Sequence, residues 1–440
     1  MSSKEKVMTE AIPASPRAVN AWWVGTVAGM ASFVDGAALN GVGFALVILQ
    51  QTIGLTPGQI GVLTSALTFG VAVGALIGGR LGDRFGRRRV FVVTMIFIAL
   101  GASVPIVATA FPLLLLGLGV LGVAIGADIP VSLATIAEAA TDQNRGKILV
   151  MSNLLAGVGI GAVVLVATLT GGTGIFAAQA IFGLIAVVAV IVLALRLTIP
   201  ESTSWRAARL EQTQGVHTVR ADRSKLRDLI TPPLRFPFLI LVGFFTLVSI
   251  PITLFGSYAA YIGANFTGTP VSEFSVFVLF LVPLAIIVQV IFMRVVDTRF
   301  RLTFFILGGV LYVAAYLIPV ILGMNLATLV TTVLVSGMGT VFCGEPIFRV
   351  WVNEAFPTML RSTGQGVIFA IARLVPALLL VPVPFLLSSS INGFLIALSV
   401  LAAAGIAVGW FGVRSGRLIN EFHHEAESID ITAATSSSAS

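Results

Sequence analysis

The sequence predicts an all-α membrane protein with twelve transmembrane helices in two pseudo-symmetric six-helix bundles, and three observations carry that prediction. Of the 440 residues, 57% are hydrophobic and only 10% charged, with a mean hydropathy of +1.04. No water-soluble fold needs so little polar surface, even around a large core. The apolar residues gather into twelve stretches of about 18 residues or more, each long enough as helix to cross roughly 30 Å of hydrocarbon. The basic residues fall at the tails and in every second connection between those stretches.

The predicted spans run over 21–49, 58–79, 90–110, 111–137, 148–169 and 174–197, and then over 236–263, 271–295, 302–323, 326–352, 363–387 and 391–413. The longest polar interval separates the sixth from the seventh. It divides the chain into an N-terminal bundle over 1–198, a cytoplasmic linker over 199–235, a C-terminal bundle over 236–415 and a disordered, low-complexity cytoplasmic tail over 416–440. The first span follows Lys4, Lys6 and Arg17 without a small-residue cleavage site, so it reads as a retained helix and not as a signal peptide.

Of the 26 Lys and Arg, only Arg349 and Arg373 lie deep inside a predicted span, and none lies in the opposite set of connections. By the positive-inside bias, both termini and the arginine-rich loop "GRLGDRFGRRRVF" at 79–91 face the cytoplasm of a multi-pass cell-membrane protein. The net charge of +7 is thus spread along one membrane face, which excludes a nucleic-acid partner. Cys343 is the single cysteine, and His217, His423 and His424 all fall in cytoplasmic segments. That inventory predicts no disulfide framework, no metal site and no cofactor, and no histidine relay at membrane mid-depth.

The two halves repeat each other. "LGDRFGR" at 81–87 has a worn copy in "VVDTRFR" at 295–301, and "EAATDQNR" at 138–145 matches "EAFPTMLR" at 354–361. Both pairs are offset by about 215 residues and both fall at cytoplasmic helix ends. An even number of spans per half, with repeats in the same topological place, predicts parallel duplication about an axis normal to the membrane and a cavity between the halves.

"GRLGDRFGRRR" closely resembles the loop between helices two and three of the major facilitator superfamily. "EAATDQNRG", "IPESTSW" at 199–205 and "NEAFPTMLRSTGQG" at 353–366 resemble signatures of its sugar porters and metabolite:proton symporters. The resemblance implies a transporter, not an enzyme, and a cytoplasmic gate built from Asp83, Arg84, Gly86, Arg87, Glu138, Arg145, Glu354 and Arg361. Gly86 permits a tight turn, and Asp83 can accept from Arg87 and favour the positive end of a helix in the other half. Arg88 and Arg89 also read as residues that only fix orientation.

Five ionisable residues lie deep in predicted spans: Asp35, Asp128, Glu345, Arg349 and Arg373. Each is expensive there unless it faces water or a partner, so each is a functional candidate. Asp128 and Glu345 precede Glu138 and Glu354 by ten and nine residues, which places them about 13–15 Å from the cytoplasmic end. Asp35, in "FVDGAALNGVGFAL", and Asp128, in "GADIPVS", resemble acids of the metabolite:proton symporters and are the expected proton-coupling pair. The alternative for either is a permanent ion pair with an arginine. Glu345 and Arg349 share a helix face and either neutralise each other or line the substrate site. Arg373 has no acid nearby in sequence and is expected to bind a substrate anion, and Asn153 could bond a substrate hydroxyl or another helix. The glycines of "GVGIG" at 157–161 read as helix packing and not as a phosphate cradle.

The expected function is proton-coupled import of a small polar metabolite (sugar, sugar acid or other organic acid) by a monomer in the lipid bilayer, through alternating access. A facilitative uniporter of a sugar or polyol is the alternative in the same class, and a non-transporting membrane sensor the alternative outside it. With no metal cluster and no nucleophile–base pair, the sequence does not read as an enzyme.

Overall fold

The computed structural model describes residues 20–418 apart from 109, 142, 171–172, 215–225, 270 and 380–382. The three histidines and the tail beyond residue 418 lie outside the described residues, as do Lys4, Lys6 and Arg17. Among the described residues there is no β-strand. Six long helices form the N-terminal half: α1 (Ala21–Ile53), α2 (Pro57–Phe85), α3 (Arg87–Val107), α4 (Phe111–Ala139), α5 (Arg145–Thr170) and α6 (Ile175–Arg196). The interval between halves holds α7 (Thr203–Gln214) and a 3-10 turn at Leu226–Ile230. The C-terminal half comprises α8 (Arg235–Phe266), α9 (Val271–Val295), α10 (Arg301–Leu322), α11 (Leu326–Cys343), α12 (Glu345–Ala355), α13 (Arg361–Leu379), α14 (Val383–Ser389) and α15 (Ile391–Arg414).

Local chemistry sets many of these boundaries. Asn20 caps α1 by accepting from the Trp22 amide, Ser390 caps α15 through the Gly393 amide, and Thr56 with Gln59 forms a capping box on α2 behind Pro57. Asn325 and Thr328 make a second box on α11. Each side chain satisfies an amide that the first helical turn leaves without a partner, which matters where the membrane boundary limits access to water. Eleven spans among the described residues are long and apolar enough to cross a bilayer, with Leu279–Val295 of α9 as a shorter apolar helix. The tenth predicted span departs from expectation: it breaks at Gly344 into α11 and α12, with Pro346 in the first turn of the second piece. Proline cannot donate to the preceding turn, so the break falls just before it. The eleventh is described as α13 up to Leu379 and as α14 from Val383, with 380–382 outside the described residues.

Large apolar side chains such as Phe69, Leu116 and Val190 stay on the outside. In a bilayer that is the inexpensive side, and the interior takes small residues and buried polar groups instead. The halves join tightly where α2 meets α13. A Cβ on Gly366 would lie 2.1 Å from the Ala75 carbonyl oxygen and one on Gly79 2.2 Å from that of Ser362, so only glycine allows this approach. Of the "GVGIG" glycines, Gly159 packs on the Phe33 backbone, whereas Gly157 and Gly161 face open space.

Candidate functional site

Two charged layers tie the halves together. The first lies at the arginine-loop end. Asp83, at the end of α2, accepts from the Ser362 and Thr363 amides at 3.3 and 2.6 Å, so its carboxylate closes the N-terminus of α13 in the other half. Those amides belong to the first turn of α13, where the helix dipole also favours an anion. Arg87 donates to Asp83 at 2.6 Å, to Glu138 at 2.8 Å and to the Thr358 carbonyl at 2.9 Å. Arg361 reaches the same Glu138 oxygen at 3.3 Å, so one carboxylate sits between arginines from both halves. Gly86 has φ of +99°, the turn conformation expected of it, and a Cβ there would meet the Glu201 carboxylate.

The repeat supplies a second, matching clasp. Asp297, between α9 and α10, accepts from the Gly146 and Lys147 amides at 2.9 Å each and thereby caps α5 in the opposite half. Burial holds the Asp297 pKa above its ordinary value, an effect the two amides and the Lys147 charge offset only in part. Arg301 pairs with Glu354 at 2.9 Å as Arg87 does with Glu138, and the Nε groups of Arg145 and Arg361 each donate 3.2 Å to a carbonyl eight residues earlier. Seven of the eight expected gate residues therefore lie in these two clasps. Arg84 does not: it follows Asp83 on the helix, is turned away to the surface and lies over the Phe85 ring at 5.2 Å. Asp297 and Arg301 were legible only as the worn half of the repeat.

The second layer lies at mid-depth. Asp35 of α1 accepts from Arg373 of α13 at 3.3 Å, a contact between halves across 338 positions of sequence. Arg373 has no acid nearby in sequence, as expected, and its partner comes instead from the other half. The other Asp35 oxygen is buried and has no hydrogen-bond partner among the described residues. Arg349 donates to Glu345 at 2.6 and 3.1 Å and also to the hydroxyls of Ser32 on α1 and Ser152 on α5, at 2.7 and 2.8 Å. It therefore both neutralises Glu345 and crosses to the other half. Glu345 and Arg373 keep about a quarter of their side-chain surface exposed, 28% and 26%, while Arg349 is fully buried. Asn153 is half-buried beside Ser152, its amide without a partner among the described residues.

Asp128 lies apart from both layers, inside the N-terminal half. Arg196 pairs with it through both guanidinium ends, one at 2.8 Å, while Thr94 donates to one oxygen at 2.7 Å and Ser132 to the other at 3.3 Å. Arg196 also lies over the Phe91 ring at 4.4 Å and is fully buried. The sequence placed this arginine at a helix end; its long side chain turns inward instead. Nothing in the spacing signals that, nor does an isolated serine in an apolar helix signal Ser32 or Ser152.

Paired, duplicated clasps thus join the two halves on one side of the bundle, with a partly exposed charged layer beneath them. A family profile described as Major Facilitator Superfamily matches residues 28–380. The chain belongs to the major facilitator superfamily. It is thus a membrane transporter and not an enzyme. It is 26% identical over 351 residues to the minor myo-inositol transporter IolF of Bacillus subtilis (strain 168), covering 79% of this chain and 80% of that one. The superfamily fold is also seen in the proton:xylose symporter XylE bound to 6-bromo-6-deoxy-D-glucose, with a TM-score of 0.76, 16% identity and coverage of 93% of this chain and 99% of that one. FucP in its outward conformation aligns with a TM-score of 0.69 at 15% identity, over 89% of this chain and 97% of that chain.

Proposed function

We propose that this transporter imports a small uncharged polyol or sugar together with protons, by alternating access of its two halves, and that Asp35 is the proton-carrying group. The observation that carries the reading is the contrast between the two intramembrane aspartates. Both oxygens of Asp128 are engaged by Arg196 and hydroxyls, whereas Asp35 has one long contact to Arg373 and one oxygen left over. The free oxygen can take a proton, and neutral Asp35 no longer holds Arg373 across the interface, so protonation is coupled to the fit between halves. Asp128 then serves the N-terminal half as a fixed pair.

Substrate charge follows from arithmetic at the mid-depth layer. While Asp35 is ionised, Asp35 and Glu345 balance Arg349 and Arg373, and a balanced site gains nothing from an anion that must displace a carboxylate already in place. A neutral polyhydroxy compound instead finds donors and acceptors on the exposed parts of Arg373 and Glu345 and on Asn153. The myo-inositol transport of the relative agrees with this. With the arginine loop in the cytoplasm by the positive-inside bias, the clasped side is the cytoplasmic one, which leaves the outer side for substrate entry in this reading. Both halves of the site come from one chain, so a monomer suffices.

The test is uptake of labelled myo-inositol into proteoliposomes under an inward proton gradient. Wild type accumulates it uphill, and Asp35→Asn loses accumulation while retaining substrate exchange. Unchanged uphill uptake in Asp35→Asn removes Asp35 from the coupling, and uptake confined to organic acids removes the neutral-substrate reading.

A further inference from the structure

We propose that a groove on the outer face of the N-terminal half holds an anionic phospholipid, with its acyl chain along α2, α3 and α4 and its headgroup on Arg89 and Arg206. The groove has a volume of about 900 Å³ and apolar walls that include Ile77, Leu81, Phe97, Leu116 and Val123. Through Phe85, Arg89 and Val93 it joins a second recess of about 780 Å³ between α3 and α7, where Arg88, Glu201, Trp205 and Arg206 take over the lining. One continuous surface is thus oily within the span and cationic where the span ends.

The charges at that end are not consumed by the protein. Glu201, the acid in the recess, accepts from the Arg87 and Arg88 amides at 2.8 and 3.3 Å and so caps α3. Arg88 donates to the Leu197 carbonyl at 3.0 Å. Arg89 and Arg206 are exposed, and neither side chain has a hydrogen bond or ion pair among the described residues. Two unengaged guanidiniums beside an apolar groove at the membrane boundary match a phosphate attached to an acyl chain, since guanidinium binds phosphate bidentately and basic residues at the boundary draw in anionic lipid. A free phosphate has no use for the groove. A zwitterionic lipid brings an ammonium against the arginines.

The position gives such a lipid a consequence. Trp205, in the recess, donates from its indole to the Asp83 carbonyl at 2.8 Å, and Glu201 holds the Arg87 amide. A headgroup seated there presses α7 onto the clasp and favours the state closed on this side. The cytoplasmic leaflet is the source under the orientation proposed above, but the binding itself requires neither that orientation nor transport.

Native mass spectrometry of the detergent-solubilised protein, titrated with phosphatidylglycerol or phosphatidylethanolamine of identical chains, tests this without any substrate. Wild type retains phosphatidylglycerol in preference. Removing both cations, Arg89→Ala with Arg206→Ala, weakens that retention about tenfold or more. Val93→Trp, which fills the groove and leaves every arginine, weakens it too, and Arg299→Ala on the other half leaves it unchanged. Equal retention of the two lipids by wild type, or undiminished retention in the double variant, overturns the proposal.

Discussion

A carboxylate inside a membrane protein is defined by how many of its oxygens are engaged. At Asp128 the answer is all of them, with Arg196 and two hydroxyls closing a cluster that water does not reach. Asp128→Asn leaves the Arg196 guanidinium buried without its counter-ion, a loss typically worth about 3–5 kcal/mol. The measurement is thermal unfolding of the purified protein: Asp128→Asn unfolds well below wild type, and replacing both members, Asp128→Leu with Arg196→Met, recovers most of the difference because no orphan charge remains. If Asp128→Asn instead keeps wild-type stability and abolishes uphill uptake, Asp128 carries the proton. At Asp35 the same reasoning runs the other way, since an acid with a free oxygen is poorly placed to stabilise and well placed to titrate.

Between elements, the contact that recurs is an acid from one half on the helix N-terminus of the other. Asp83 does this for α13 and Asp297 for α5, so the closed state rests on two caps related by the repeat. A carboxylate in a partly buried position at a helix N-terminus contributes up to about 2 kcal/mol, enough to change a two-state population roughly 30-fold. Asp83→Asn and Asp297→Asn should therefore each lengthen distances between spin labels placed across the clasped side, and the two together should lengthen them further. Cys343 is buried, so introduced cysteines can be labelled over little background. Unaltered distance distributions in Asp297→Asn would reduce it to a turn residue. The glycine contact between α2 and α13 gives a steric counterpart: Gly366→Val drives a side chain into the Ala75 carbonyl and should open the same side even with both acids intact.

For the whole molecule, a neutral substrate moving with one proton carries one positive charge inward. A membrane potential then does work of about 2.3 kcal/mol per 100 mV, which corresponds to accumulation of roughly 50-fold at one proton per substrate. Proteoliposomes given a potassium diffusion potential, negative inside, should concentrate labelled myo-inositol toward that limit with no pH gradient imposed. A uniporter reaches only equal concentrations under the same conditions, and that result would leave Asp35 as an interfacial pair and the protein as a facilitator.

The sequence by itself determined that the chain spans a membrane, roughly where its long helices run, which connections collect the arginines and that motifs repeat between the halves. Each of these is a local or additive property: hydropathy summed over some twenty residues, charges counted by connection, and motifs compared at a fixed offset. Glu345 with Arg349 was legible for the same reason, since four residues on one helix share a face. Only the tertiary structure decided the remaining partners. Whether Arg373 meets Asp35, whether Arg196 turns in to Asp128 and whether Ser32 and Ser152 reach Arg349 depend on which helices adjoin and on how each is rotated about its own axis. Spacing within a helix does not encode that rotation. It is fixed by glycine-lined close approaches such as that of Gly36 on Ala156 within the N-terminal half and of Gly366 on Ala75 between the halves, contacts between residues far apart in sequence.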